Sequence, residues 1–105
     1  MLRVDLHTHS TASPDGSLTL EDYRQALARG LLDYVAITDH DRLDFALQVQ
    51  RELGGQIIVG EEITTAEGEL VGLFLREPVK PGLSARQTAA AIHVQGGLVY
   101  VPNPF

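Results

Sequence analysis

His7 and His9 sit one residue apart in the opening stretch MLRVDLHTHS, and they are two of only four histidines in the chain. On an extended segment, residues i and i+2 point to the same side. The two imidazoles can therefore be offered to one cation, with Thr8 turned away. Neutral imidazole suits Zn, Mn, Fe and similar ions. Acids stand at three further points: Asp15 in SPDG, Asp39 beside His40 in TDHD, and Glu61-Glu62 in GEE. A carboxylate can bridge two cations about 3.5–4 Å apart, as in two-metal hydrolytic sites. On a regular strand Glu61 and Glu62 point to opposite faces, so only one of them can join the imidazoles.

Each of these residues also has a plainer reading. Asp15 in Pro-Asp-Gly is a common turn former. Asp39-His40-Asp41 could be a helix cap and a solvated loop. The glutamate pair could be one exposed acid and one salt-bridged acid. His93 falls near a helix C-terminus, where positive charge is mildly favourable, and Tyr100 alternates with Val99 and Val101 as packing. What favours a shared site is the joint placement of these clusters with respect to the elements that carry them.

Those elements follow from local patterns. LRVDL (2–6), YVAIT (34–38), QIIVGEEIT (56–64), ELVGLFL (69–75) and LVYV (98–101) read as strands. Thr19 can cap a helix that stops near Gly30, with Glu21 and Asp22 in its first turn. Asp41 can cap a second helix running to about Leu53, ended by Gly54-Gly55. Ser84 and Gln87 form a capping box for a third helix over 85–95. AEG (66–68) is a turn too short for a crossover, so strands three and four form a hairpin. The order is β-α-β-α-β-β-α-β, an α/β chain with a mostly parallel sheet. His7 and His9, Asp39 and His40, Glu61 and Glu62, and Asn103 then all fall near strand C-termini, where parallel α/β folds place their active sites.

The bulk composition sets outer limits. The 105 residues suffice for one small domain, and 44% apolar content is globular. A net charge of −6 without a basic cluster argues against long nucleic acid or an anionic membrane held by surface charge. A small anionic substrate stays open, because a bound metal reverses the local field. With no cysteine, any metal must be held by His, Asp and Glu. No apolar run is long enough to span a bilayer and no signal peptide is visible, so a soluble cytoplasmic protein is the default.

DLHTHS, PDG, TDHD and GEE, in this order and spacing, resemble the PHP family, named for polymerase and histidinol phosphatase. The resemblance covers nearly the whole chain. It extends to the short bacterial PHP phosphoesterases through GGLVYVPNPF, which resembles their segment ending in a His-Pro pair. It implies a distorted seven-stranded β/α barrel, of which residues 1–105 form a single incomplete domain, the N-terminal half. It implies a site with two or three divalent metals, Zn, Mn or Fe, that hydrolyses phosphate esters. Carried onto this chain, His7 and His9 are ligands, and Asp15 and His40 serve a third metal. Glu62, counted from Gly60, bridges two metals. His7, His9 and Glu62 act in catalysis through the bound metal, and Asp39 orients a neighbour.

Two departures qualify the resemblance. Asn103-Pro104 stands in place of His-Pro, and an amide is a poor ligand for Zn or Fe. The Asp-x-His pair that the family supplies near its C-terminus has no counterpart before Phe105. The expected function is a metal-dependent phosphoesterase acting on a small phosphorylated substrate. The alternatives are a non-catalytic metal-binding or structural module, or an inactive fragment. A half barrel leaves an edge strand and apolar faces uncovered, so self-association is expected.

Overall fold

The computed structural model describes residues 2–14 and 16–102. Its elements follow the expected order: β1 (Val4–Thr8), α1 (Leu20–Ala28), β2 (Tyr34–His40), α2 (Asp44–Leu53), β3 (Ile57–Thr65), β4 (Gly68–Leu73), α3 (Ala85–Val94) and β5 (Leu98–Tyr100).

Two helix starts are set by local chemistry. The Thr19 hydroxyl accepts from the Asp22 N–H at 3.2 Å, and the Asp22 carboxylate accepts from the Thr19 N–H at 2.9 Å. Ser84 and Gln87 make the same reciprocal pair at the head of α3, both bonds at 3.1 Å. Each box satisfies two backbone donors that the first helical turn leaves free.

The second helix corrects the expectation. It starts at Asp44, with Leu43 as a cap that makes no side-chain hydrogen bond. Asp41 does not cap it. Its backbone is left-handed, with φ of 53°, and its carboxylate turns the other way, onto β3. Arg42 instead pairs with Asp44 in the first turn of α2, at 2.6 and 2.8 Å.

The sheet has five strands in the order β1-β2-β3-β4-β5. β1–β2 and β2–β3 are parallel, while β3–β4 and β4–β5 are antiparallel. The sheet is thus mixed rather than mostly parallel. The cause lies in residues 74–83, which climb back along β3. Leu75 N–H bonds the Val59 carbonyl and Gly82 N–H bonds the Thr64 carbonyl, at 2.9 and 2.8 Å. The chain therefore enters α3 at the end of the sheet opposite to where β4 stopped, and β5 returns antiparallel to β4.

The two faces of the sheet differ. Val35, Ile37, Ile57, Val59 and Ile63 pack under the helices with Tyr23, Ala46, Val49 and Ile92 and form the main core. Ala36, Ile58, Val71 and Leu73 form a smaller cluster on the inner face of the curled sheet, joined by Tyr100. Gly60 belongs to that inner face by register. A Cβ there would stand 2.7 Å from the Gly72 carbonyl oxygen and 2.9 Å from the Thr38 methyl, so this crossing of β2, β3 and β4 admits only glycine.

Candidate metal centre

The site begins with an irregularity in β1. Asp5 pairs with Val35, but Thr8 pairs with Ile37, so three steps on β1 match two on β2. One extra residue forms a bulge, which re-aims the side chains beyond it. Val4, opposite Tyr34, faces inward before the bulge. After it Thr8 turns toward the helices, where its hydroxyl donates to the Ala36 carbonyl at 2.6 Å and meets the Tyr23 hydroxyl at 2.8 Å. His7 and His9 are left facing inward together.

β2 and β3 bring the remaining partners. His40 pairs with Glu62 across the parallel ladder, at the end of β2. His7 Nε2 donates to Glu62 Oε1 at 2.6 Å, and His9 Nε2 donates to the same oxygen at 2.7 Å. The two Nε2 atoms lie 3.2 Å apart. The His9 ring packs against His7 with centroids 4.9 Å apart and against His40 at 4.3 Å. Glu62 is only 3% exposed. Burial alone would push its carboxyl up, but the hydrogen bonds from His7 and His9 and the charge beside it prevail and hold it below the usual carboxylate range.

A further residue joins from β4 that sequence reasoning missed. Glu69 Oε2 lies 3.2 Å from His40 Nδ1. Glu69 pairs with Thr64, two residues beyond Glu62, so it stands diagonally to Glu62 on the same face, within reach of a long side chain. Burial and the ionised Glu62 together raise the Glu69 carboxyl above its ordinary value, with His40 acting the other way. The signal was present in the turn: counting outward from Ala66-Glu67 places Glu69 on the face of Thr64 and hence of Glu62.

Two groups of donor atoms result. His7, His9 and Glu62 form one, and His40, Glu62 and Glu69 the other, with the donor atoms of each group within 4.8 Å of one another. Glu62 belongs to both. Zn–N and Zn–O bonds of about 2.0–2.2 Å imply tetrahedral donor separations of roughly 3.3–3.6 Å. The 3.2 Å between the imidazole nitrogens is close to that value. The 2.6 and 2.7 Å to Glu62 would each open by less than 1 Å to admit an ion. Imidazole and carboxylate donors together suit Zn, Mn and Fe, so the residues fit divalent metals.

The neighbouring acids face elsewhere. Glu61 points to the helix side, as the alternation required. It is fully buried, and its Oε1 accepts from the Val79 N–H at 2.9 Å. Its Oε2 has no hydrogen-bond partner among the described residues. Asp39 is also on the helix side and buried. It accepts from the Ser10 N–H at 2.7 Å, the Ser10 hydroxyl at 2.6 Å and the Ser13 hydroxyl at 2.8 Å. Ser13 in turn accepts from the His40 N–H at 3.0 Å. Asp39 thus orders the loop after His9 and is linked through the Ser13 hydroxyl to the His40 N–H. Asp15 and Asn103 lie outside the described residues.

Asp41 closes the upper end of the β2–β3 ladder. Its N–H donates to the Glu62 carbonyl at 2.9 Å. Its carboxylate accepts from the Thr64 N–H and the Thr64 hydroxyl, both at 2.8 Å. The bonds to Thr64 are exposed, and such bonds contribute about 1 kcal/mol each. The left-handed backbone of a non-glycine residue costs roughly 1–2 kcal/mol. The two effects are of similar size.

A family comparison decides the kinship. Residues 5–94 match the model of the PHP domain. The chain belongs to the PHP domain family. A relative from Methanocaldococcus jannaschii, the uncharacterized protein MJ1587, is 34% identical over 117 residues, spanning 99% of this chain and 68% of that one. The fold is shared with a two-domain protein from Bacteroides vulgatus containing a predicted PHP-like metal-dependent phosphoesterase. There the TM-score is 0.68 and identity 24%, over 93% of this chain and 34% of that one. A protein from Bifidobacterium adolescentis, described as a candidate metal-dependent phosphoesterase, gives a TM-score of 0.54 and 29% identity, over 69% and 27% of the two chains. The chain thus spans about a third or less of these two solved chains. Of the ligands that the PHP resemblance implied, His7, His9, His40 and Glu62 are brought together on the inner face. No helix among the described residues is long and apolar enough to cross a membrane.

Proposed function

We propose that this chain carries the N-terminal part of a PHP metal-dependent phosphoesterase site that acts on a small phosphorylated substrate. One observation carries the reading: the buried Glu62 carboxylate is shared between His7 and His9 on one side and the His40–Glu69 pair on the other. Under this reading His7, His9 and Glu62 hold one divalent ion, and His40, Glu62 and Glu69 hold a second. Asp15 would add a ligand to a third. Zn, Mn and Fe are the proposed ions. They would supply Lewis acidity toward a phosphate ester and a more acidic water. The chain's own part is to hold Glu62 ionised beside two imidazoles and to fix the donors on strands rather than on mobile loops. A protein of net charge −6 suits a small phosphorylated substrate better than a long nucleic acid. A cytoplasmic setting and a barrel that continues beyond residues 1–105 belong to the same proposal.

The test is metal content and hydrolysis of an aryl phosphate ester, measured on the chain and on its full-length source protein. His7→Ala and Glu62→Ala should each abolish metal-dependent turnover. Turnover retained in both variants would overturn the assignment. Metal bound without turnover in the full-length protein would instead make this a metal-binding module.

A further inference from the structure

We infer that Asp41 is a positioning residue for the second ion, the one assigned to His40, Glu62 and Glu69. The inference rests on the two-ion reading above and deepens it. Asp41 follows His40 directly, and its left-handed backbone, with φ of 53°, turns the chain off the sheet at that point. The parallel ladder between β2 and β3 is regular up to His40 and Glu62. Beyond it the Asp41 side chain takes over the ladder's work. Its carboxylate accepts both the N–H and the hydroxyl of Thr64 at 2.8 Å, while its own N–H holds the Glu62 carbonyl at 2.9 Å.

Thr64 is the register partner of Glu69. Asp41 therefore joins, through one residue, the strand end that carries His40 to the stretch of hairpin that carries Glu62 and Glu69. The three donors of the second ion come from three strands, and beyond the last β2–β3 pair this clamp ties the end of β2 to the β3–β4 hairpin. The first ion's imidazoles, His7 on β1 and His9 just after it, are held by their own hydrogen bonds to Glu62 Oε1 at 2.6 and 2.7 Å, although the His9 ring also packs on His40 with centroids 4.3 Å apart. Loosening Asp41 should move His40 relative to Glu69 and leave His7, His9 and Glu62 in place. A role limited to stability predicts otherwise: exposed bonds that are offset by backbone strain would change the fold slightly and both ions equally.

The test is calorimetric titration of the intact chain with Zn²⁺ alone, with metal-free thermal unfolding as a control on the fold. Three variants separate the backbone from the clamp. Asp41→Gly relaxes the left-handed turn but removes the carboxylate. Asp41→Ala removes the carboxylate and keeps the strain. Asp41→Asn keeps an oxygen for the Thr64 N–H and tolerates the left-handed conformation. The natural chain should bind two ions. Ala and Gly should weaken the second at least about tenfold and leave the first within about threefold, and Asn should stay within about threefold for both. Binding of both ions by the Gly variant as in the natural chain would overturn the inference, as would equal losses in Gly and Asn. If Ala fails to fold, Gly and Asn still decide. A natural chain that binds one ion only would refute the two-ion reading, and the inference with it.

Discussion

Glu69 stands diagonally across the β3–β4 ladder from Glu62, and burial together with the ionised Glu62 holds its carboxyl above the usual range. Without a cation the two carboxyls share a hydrogen bond that lowers the pKa of Glu62 and raises that of Glu69, and with one both can serve as ligands. Glu69→Gln should therefore leave the metal-free unfolding midpoint unchanged or raise it. The same variant should lower the Zn²⁺ stoichiometry from two to one. Calorimetric titration and a thermal melt check both halves, and an unaltered stoichiometry would remove Glu69 from the site.

Glu61 offers a pH signature on the opposite face. Burial pushes its carboxyl up to about 7 from 4.5, with the Val79 N–H acting the other way and Asp41 adding to the rise. The folded state thus holds this proton more tightly than the unfolded chain does. The stability it contributes is fully present below pH 4.5 and is lost as pH rises through about 7. A shift of this size corresponds to something on the order of 3 kcal/mol. Urea unfolding of the metal-free chain at pH 5 and pH 8 measures the difference. Glu61→Gln should flatten it, and an identical slope in the variant would assign the pH dependence to other groups.

Asp39 anchors the loop that follows His9 through three hydrogen bonds at a buried position. Its role is to hold Ser10 and Ser13, so its removal should be felt first in stability. Asp39→Asn cannot accept all three bonds as a charged acceptor and should cost about 1–3 kcal/mol. Equilibrium unfolding in urea provides the measurement. An unchanged midpoint would mean that the loop is held by other contacts.

Apolar side chains are left exposed at the N-terminal end of the sheet. Val4 is 44%, Leu6 37%, Tyr34 39% and Phe74 52% exposed, and all four line one depression with Ile58. Clustered exposure of this kind favours association. The 105-residue chain should show concentration-dependent self-association in sedimentation velocity, reduced in Leu6→Lys and Phe74→Lys together. A single monomeric species at all concentrations would contradict this.

The element order and two of the three helix starts were legible because they rest on local chemistry. Thr19 with Asp22, and Ser84 with Gln87, lie three residues apart and close their boxes whatever surrounds them. Four of the five ligand positions that the resemblance implied, His7, His9, His40 and Glu62, meet on one face, and Glu61 turns away as strand alternation demands. Asp15 lies outside the described residues. Asp41 and Glu69 were harder to read because their roles depend on register between strands. Asp41 is a plausible helix cap by type and spacing, yet its carboxylate is taken up by the Thr64 N–H and hydroxyl, and α2 starts only at Asp44. Glu69 gains its meaning only when β4 is laid against β3. The mixed direction of the sheet was also hidden, since it depends on where residues 74–83 run.

The bulge in β1 has a consequence for any attempt to move this site elsewhere. It inverts the parity of the strand: even-numbered residues look inward before it and odd-numbered ones after it. A His-x-His segment grafted onto an unbroken parallel strand, in phase with the apolar residues ahead of it, would deliver its imidazoles into the helix layer. The transferable unit is therefore the histidine pair together with the one-residue slip that precedes it.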